Sequence, residues 1–592
     1  MASGALANEK AAPTNSKPRI LVPEKVSPDG LSLLTSDFEV DSHPGLSPEQ
    51  LMELIPSYHG LIVRSETKVT AAVLAAGKNL RVVARAGVGV DNIDVDAATA
   101  QGIIVVNSPA GNIVAAAEHT IALLLATARN IGRADRSFKA GKWERGKLVG
   151  VEVGRKTLGI IGLGKVGMKV ARMAVGLGMK VVAFDPYASA DVAREAGIEL
   201  VPRLLPDLLG VVDFLTIHTP LLASTLDLLG EPEFRAMKPS ARVLNVARGG
   251  VYNEAALLRA LDEGWIAGAG LDVFTAEPPE AGSAAERLAR HEKVVATPHL
   301  GASTVEAQEN VSLDVCAQVL RILRGGLPTS AVNAPLILPE EYRKLQPFVR
   351  LVEKMGALYT QHYLRDGSVR SGSAGNSRFE LVYHGDLAAI TNTRPLFAAL
   401  VRGLLAPVSD AGGRDVNLVN AALVAREKGV VVDEVHARGS EVALTYASLV
   451  TLRAVDDDIN DTTGPHPRER RVIEGYVSGD AVYISKLDRF RAAFTPEGTL
   501  LILHNYDEPG KIGGVGSMLG GYGINIRFMQ VASLAQGGRG AGAHGDGDGK
   551  GKIHGEGDEA LMILGVDGEV TREVLDGLER VDGILRVSVV KL

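Results

Sequence analysis

The 592 residues include one cysteine, Cys316. A single thiol excludes a disulfide within the chain and any thiolate metal cluster, and it fits a reducing compartment. No uninterrupted apolar run reaches the roughly 18 residues that a membrane helix needs, so no membrane partner is expected. An excess of positive charge is also lacking. Lys and Arg number 63 against 70 Asp and Glu, a net charge of −7, which argues against a general nucleic-acid binder and leaves room for a local basic pocket. The leader MASGALANEKAAPTNSKP has no apolar core, so it does not read as a secretory signal. It is short and poor in arginine for a transit peptide, and 1–18 is read as a disordered tail.

What is present begins with length, enough for three or four domains. The most informative stretch is LGIIGLGKVGMKVARMAVGLGMKVVAFD at 158–185. An apolar run at 158–161 leads into Gly162-x-Gly164-x-x-Gly167. An amphipathic helix pattern follows, then a second apolar run at 181–184 that ends on Asp185. Gly162 permits a tight turn, Gly164 lets backbone approach a pyrophosphate, and Gly167 lets helix and strand pack closely. Asp185 is placed to accept hydrogen bonds from ribose hydroxyls and to repel a 2′-phosphate, which favours NAD over NADP.

Upstream, RILVPE, GLIVRS, LRVVARAG and GIIVVNSP alternate with helical patterns as buried strands do. An apolar helix over 115–128 is expected to bridge this region to the dinucleotide domain. There FLTIHTP, RVLNVARGG, AGAGLDVF and VVATPHLGAS continue a doubly wound parallel sheet. A helix over 303–323 is expected to return to the first domain. Residues 336–497 mix strands and helices without a catalytic constellation, and DDDINDTTGPHPRERR reads as a surface loop. The last part reads strand–helix–strand–strand–helix–strand, a small ferredoxin-like domain. It is interrupted at 537–558 by a Gly-rich stretch whose His544 and His554 read as residues of a solvated loop. No metal is expected.

Three segments at predicted strand ends carry the chemistry: NVARGG, LDVFTAEPP and TPHLGAS. They offer a guanidinium at Arg248, a carboxylate at Glu277 and an imidazole at His299. Oxidising a 2-hydroxy acid needs that set. A cation holds the carboxylate beside the reacting carbon, a base takes the hydroxyl proton, and an acid beside the base fixes its tautomer. Singly, Arg248 reads equally as a turn residue, Glu277 as a loop start and His299 as a helix cap. Behind a dinucleotide motif those readings weaken together.

VRSETKVT, RAGVGVDNID, the glycine motif, GKWERGK, NVARGG, LDVFTAEPP and PHLGAST together resemble the D-isomer-specific 2-hydroxyacid dehydrogenases, from Ile20 to Leu592. The closest likeness is to their long branch acting on 3-phospho-D-glycerate. The resemblance implies a Rossmann-type NAD domain at 119–299 and a flavodoxin-like, discontinuous substrate domain at 19–118 and 300–330. An α+β intervening domain at 331–497 and a ferredoxin-like ACT domain at 498–592 would follow.

By the same resemblance Arg248, Glu277 and His299 form the catalytic triad. Val88, Lys165, Val166, Thr219, Val246, Ala247, Asp272, Leu300, Gly301 and Ala302 join the glycines, Asp185, Arg248 and His299 around NAD. Substrate phosphate needs further cations, for which Arg64, Arg85 and Arg145 are the candidates, with Trp143 covering the pocket. Arg64 and Arg85 also read as solvated loop residues and Trp143 as a dimer anchor. The ACT likeness implies an L-serine effector held by Asn505, Asp507 and Asn525, with a purely dimerising role as the alternative. The expected product is 3-phosphooxypyruvate, at the first step of L-serine biosynthesis. The expected assembly is a homo-dimer or homo-tetramer without nucleic acid. The expected compartment is intracellular, the plastid stroma for a plant-type precursor and otherwise the cytosol. A glyoxylate or hydroxypyruvate reductase and an NAD-sensing corepressor scaffold remain the competing readings.

Overall fold

The computed structural model describes residues 17–364, 377–409, 412–413, 415–437, 446–455, 471–534 and 559–592. The leader up to residue 16, the acidic-then-basic stretch up to residue 470 and the Gly-rich stretch fall outside them.

Four sheets organise the described residues. The first is parallel and five-stranded, with Glu39–Ser42 at one edge followed by Arg19–Val22, Gly60–Val63, Val82–Arg85 and Ile104–Asn107. This 2-1-3-4-5 order is that of flavodoxin-like sheets. Helices cover both faces, so the strands read as near-continuous apolar runs, with every residue of Gly60–Val63 buried. The edge strand Glu39–Ser42 escaped the sequence reading because its residues, EVDS, leave only Val40 as an apolar cue.

The second sheet is parallel and seven-stranded. Thr157–Ile161 lies in its interior. On one side stand Lys180–Phe184 and the short edge strand Ile198–Leu200. On the other stand Phe214–Ile217, Arg242–Asn245, Gly268–Leu271 and Val294–Ala296. The order reverses between Thr157–Ile161 and Phe214–Ile217, and ligands of such sheets bind outside that switch point. Ile113–Ala128, expected to bridge the two halves, buries Ala117, Leu123, Leu124 and Ala128 in the core of this second sheet. Val305–Leu323 returns to the first sheet and packs Val311, Val315, Cys316 and Val319 beneath it. Cys316 is fully buried there, and burial pushes its thiol up to about 12, which makes it a core residue and not a reactive one.

A long helix, Pro339–Tyr363, pairs with Arg394–Leu405 under a mixed six-stranded sheet formed between Ser377 and Phe494. The C-terminal part is βαββαβ: Thr499–Tyr506, Lys511–Gly521, Asn525–Ser533, Glu559–Asp567, Arg572–Glu579 and Ile584–Lys591. Its four strands are antiparallel neighbours in the order 2-3-1-4, the arrangement of a split βαβ unit. No helix of the described residues is long and apolar enough to cross a membrane.

Candidate active site

His299 follows Val294–Ala296 in a turn held from below by Asp272. The Asp272 side chain is fully buried. It accepts from the Thr297 hydroxyl at 2.5 Å, from the Leu300 and Gly301 amides at 2.7 and 2.8 Å, and lies 3.1 Å from His119 Nε2. Burial alone would push its carboxyl up. The contacts with His119, Thr297 and Leu300 outweigh that and hold it below the usual carboxylate range. With both Asp272 oxygens engaged and His299 at a φ of +54°, the turn is locked with the imidazole facing outward. His119, a lone polar ring on an apolar helix, is part of this support and was not singled out in the sequence.

The imidazole meets Glu277, with His299 Nδ1 2.7 Å from Glu277 Oε2. Glu277 Oε1 accepts from the Phe274 amide at 3.1 Å. Burial acts to raise the Glu277 carboxyl, but the bonds with His299 and Phe274 prevail and keep it below its ordinary range. Arg248 leaves the end of Arg242–Asn245, and its loop is shaped by Asn245, which donates to the Arg248 carbonyl at 2.8 Å and accepts from the Ala247 amide at 3.0 Å.

These three side chains line one cleft of about 900 Å³ with Arg64, Arg85, Val88, Leu300 and Ala302. The first sheet supplies its far wall. Buried Glu24 accepts from the amides of Arg64, Glu66 and Thr67 at 2.9, 3.2 and 3.0 Å, and Asn92 donates to the Arg64 and Thr67 carbonyls at 2.9 and 2.7 Å. The loop that carries Arg64 is therefore built from its backbone outward. Arg85 donates to the Arg64 carbonyl at 3.2 Å and also to the Gly89 carbonyl. Burial, followed by the nearby Arg248, lowers its guanidinium from the ordinary value. Ser65 and Lys68 of the VRSETK motif line the same cleft and had not been assigned.

A second cavity of about 430 Å³ opens beside the first and shares Val88, Arg248, His299 and Ala302 with it. Val166, Thr219, Val246, Ala247 and Gly301 add to its wall. His218 does so as well, its imidazole pushed down to about 4 by burial, so it is neutral at pH 7. Three observations fit a dinucleotide here. The Thr219 hydroxyl is buried without a partner. Lys165–Gly176 starts at Gly164 with no side chain capping its first amides. Gly162, at a φ of +87°, passes so close to the next strand that a Cβ would stand 2.8 Å from the His218 carbonyl. Gly167 allows a closer approach still, since its Cβ would meet the Gly162 carbonyl at 2.2 Å. Asp185 accepts from the Leu163 and Tyr187 amides at 2.7 and 2.8 Å, which ties it to the glycine turn.

Trp143 and Arg145 are not brought to the cleft. Trp143 is 79% exposed and stacks edge-on against exposed Phe138, with centroids 5.9 Å apart, and Arg145 begins a short exposed turn. In the C-terminal sheet Asn505 and Asn525 are also separate. They register with Ala560 and Asp567, opposite ends of one strand, roughly 23 Å apart at the usual rise. Asn505 is buried with its side-chain oxygen unpartnered, and Asp507 is exposed.

Residues 121–301 match the family model described as D-isomer specific 2-hydroxyacid dehydrogenase, NAD binding domain, and 344–464 match that of the D-3-phosphoglycerate dehydrogenase intervening domain. The chain is 41% identical to D-3-phosphoglycerate dehydrogenase 2, chloroplastic, of Arabidopsis thaliana over 97% of its own length and 86% of the relative's. It is 39% identical to D-3-phosphoglycerate dehydrogenase of Archaeoglobus fulgidus, covering 97% of this chain and 100% of that one. A crystal structure from Polaromonas sp., assigned to the NAD-binding D-isomer specific 2-hydroxyacid dehydrogenases, superposes with a TM-score of 0.50 at 25% identity, over 53% of this chain and 99% of its own.

Proposed function

The chain belongs to the D-3-phosphoglycerate dehydrogenases of the D-isomer-specific 2-hydroxyacid dehydrogenase family, and from that premise we propose that it oxidises 3-phospho-D-glycerate to 3-phosphooxypyruvate with NAD, opening L-serine biosynthesis. The observation that carries the reading is that Arg64, Arg85 and Arg248 line the same cleft as His299.

Arg248 takes the C1 carboxylate, and its planar fork fixes the orientation of C2. His299 receives the C2 hydroxyl proton at Nε2, because Nδ1 faces Glu277. Glu277 holds the tautomer and the orientation of the ring. Bound NAD supplies the hydride acceptor. Arg64 and Arg85 hold the phosphate on the first-sheet wall. Arg145 and Trp143 reach a cleft only from a neighbouring subunit in this reading, which makes the enzyme a homo-oligomer. An intracellular compartment, plastid stroma or cytosol, accords with the single unpaired thiol.

The C-terminal βαββαβ unit is an ACT module in the same reading, with Asn505, Asp507 and Asn525 holding L-serine. Because Asn505 and Asn525 pair with opposite ends of the strand between them, a joint site draws them from two copies. Saturating L-serine is expected to change activity or Tm, and no change in either would remove the effector role.

NADH absorbance with 3-phospho-D-glycerate and D-glycerate as alternative donors tests the main reading. A strong preference for the phosphorylated acid is expected. Equal or better use of D-glycerate would reassign the chain as a hydroxypyruvate reductase.

A further inference from the structure

A second group of titratable side chains lies far from the cleft, where the middle part of the chain meets the C-terminal sheet. His362 stands in the last turn of Pro339–Tyr363, Asp488 in the turn between Ala481–Leu487 and Phe490–Phe494, and His504 on Thr499–Tyr506. One ligating atom from each falls within 4.8 Å of the other two. The His362 and His504 rings stack with centroids 5.7 Å apart.

Both imidazoles carry a buried Nε2 without a hydrogen-bond partner, and His362 is fully buried. A buried polar nitrogen left unpaired is costly, and two in one cluster call for an explanation. The other ring nitrogen of His362 supplies part of it. Ser588 Oγ lies 2.6 Å from His362 Nδ1 and directs its own hydrogen to the Ile502 carbonyl at 3.4 Å. In the tautomer in which Ser588 accepts from Nδ1–H, the lone pair of His362 is on Nε2. A hydroxyl or carbonyl that fixes the tautomer of an imidazole is the usual outer support of a metal ligand. Tyr363 donates to Asp488 Oδ1 and orients the carboxylate in the same manner.

We propose that His362, Asp488 and His504 form a site for one divalent transition-metal ion of the Zn²⁺ type, which pins the C-terminal sheet to the middle sheet. Two imidazoles and a carboxylate match Zn²⁺ or Co²⁺, whereas Mg²⁺ and Ca²⁺ require oxygen ligands. Metal bonds of about 2.1 Å place tetrahedral ligand atoms about 3.4 Å apart, so closure asks for small ring movements from the present spacing. Three guanidiniums stand nearby. Arg586 donates to the His362 carbonyl, Arg489 pairs with Glu559, and Arg471 donates to Tyr359 at 3.3 Å. Their charge opposes a cation and sets the affinity below that of an all-anionic site.

The test uses the full, tag-free chain after dialysis against a chelator, titrated with Co²⁺ while visible ligand-field absorption, metal content and Tm are read. One Co²⁺ per chain, a ligand-field band and a Tm raised by several degrees are expected, with Zn²⁺ displacing the band. His504→Gln and Asp488→Asn should each abolish the band, and the double variant H544A/H554A should keep it. No band in the unsubstituted chain overturns the proposal without reliance on any variant. So does a band that survives in both His504→Gln and Asp488→Asn, or one lost in H544A/H554A, which would place the metal in the Gly-rich insert.

Discussion

Arg248 Nε stands 3.3 Å from Asp91 Oδ2, so the guanidinium assigned to the substrate carboxylate is paired with a carboxylate of the protein across the cleft. Arg248 belongs to the second sheet and Asp91 to a loop of the first. If Arg248 takes the C1 carboxylate as proposed, Asp91 occupies the place of that anion and substrate would have to displace it.

Asp91→Asn removes that competitor. The pair is largely exposed on the Asp91 side, which limits its strength to that of a surface ion pair. The KM for 3-phospho-D-glycerate is expected to fall about twofold to fivefold, with kcat near the parent value. Steady-state kinetics of the variant checks this, and an increased KM would mean that Asp91 supports the site.

Arg64→Ala deletes a cation from the wall opposite His299. Charge-assisted hydrogen bonds lost from a phosphate raise KM for the phosphorylated acid roughly 10- to 100-fold. The KM for NAD should stay within about twofold, because Arg64 lines only the larger cavity. Equal effects on both constants would sink the phosphate role.

Glu277→Gln should lower kcat by less than the roughly 10²–10⁴-fold that the loss of the base, His299→Asn, would cost. The pH dependence has a definite sign. The Glu277 carboxyl is lower in the folded chain than in a free peptide, so its stabilisation is complete above the unfolded value and fades as pH falls through the folded one. The Tm difference between parent and variant is thus expected to be full at pH 7 and to shrink only below about pH 4. Thermal melts across that range decide it.

Asp185→Ser should cut the preference for NAD over NADP by about tenfold or more. Because Asp185 also accepts from the Leu163 and Tyr187 amides, the variant should melt earlier as well. Unchanged cofactor preference would leave Asp185 with the turn-bracing role alone.

Much of this architecture was legible because it rests on local patterns. The runs at 158–161 and 181–184 lie inside Thr157–Ile161 and Lys180–Phe184, and each C-terminal element stands where its periodicity placed it. Edge strands such as Glu39–Ser42 and Ile198–Leu200 were hidden, since a strand exposed on one side needs little apolar character. Supporting residues were hidden for another reason. Glu24 acts on amides 40 or more positions away, and His119 reaches an aspartate 153 positions on. His362, Asp488 and His504 follow no spacing rule, because three separate elements bring them together. Only a folded chain makes such groups neighbours. Trp143 and Arg145 belong to a recognisable motif, yet a motif does not fix where its side chains stand relative to the cleft, and here both are exposed away from it.

The chain leaves the first sheet through 108–112 and comes back through 297–304, so two short segments, and not one, join the halves that face each other across the cleft. A single tether would act as a swivel. A pair acts like the two pins of a door: it suppresses twisting and leaves one axis of swing. The far segment holds His299 itself, so the base would lie close to that axis. It would move least as the halves close, while Arg64, out on the opposite wall, would sweep farthest. Such an arrangement would let an acid with an anionic group at each end enter a wide mouth and still meet a base whose position has scarcely changed.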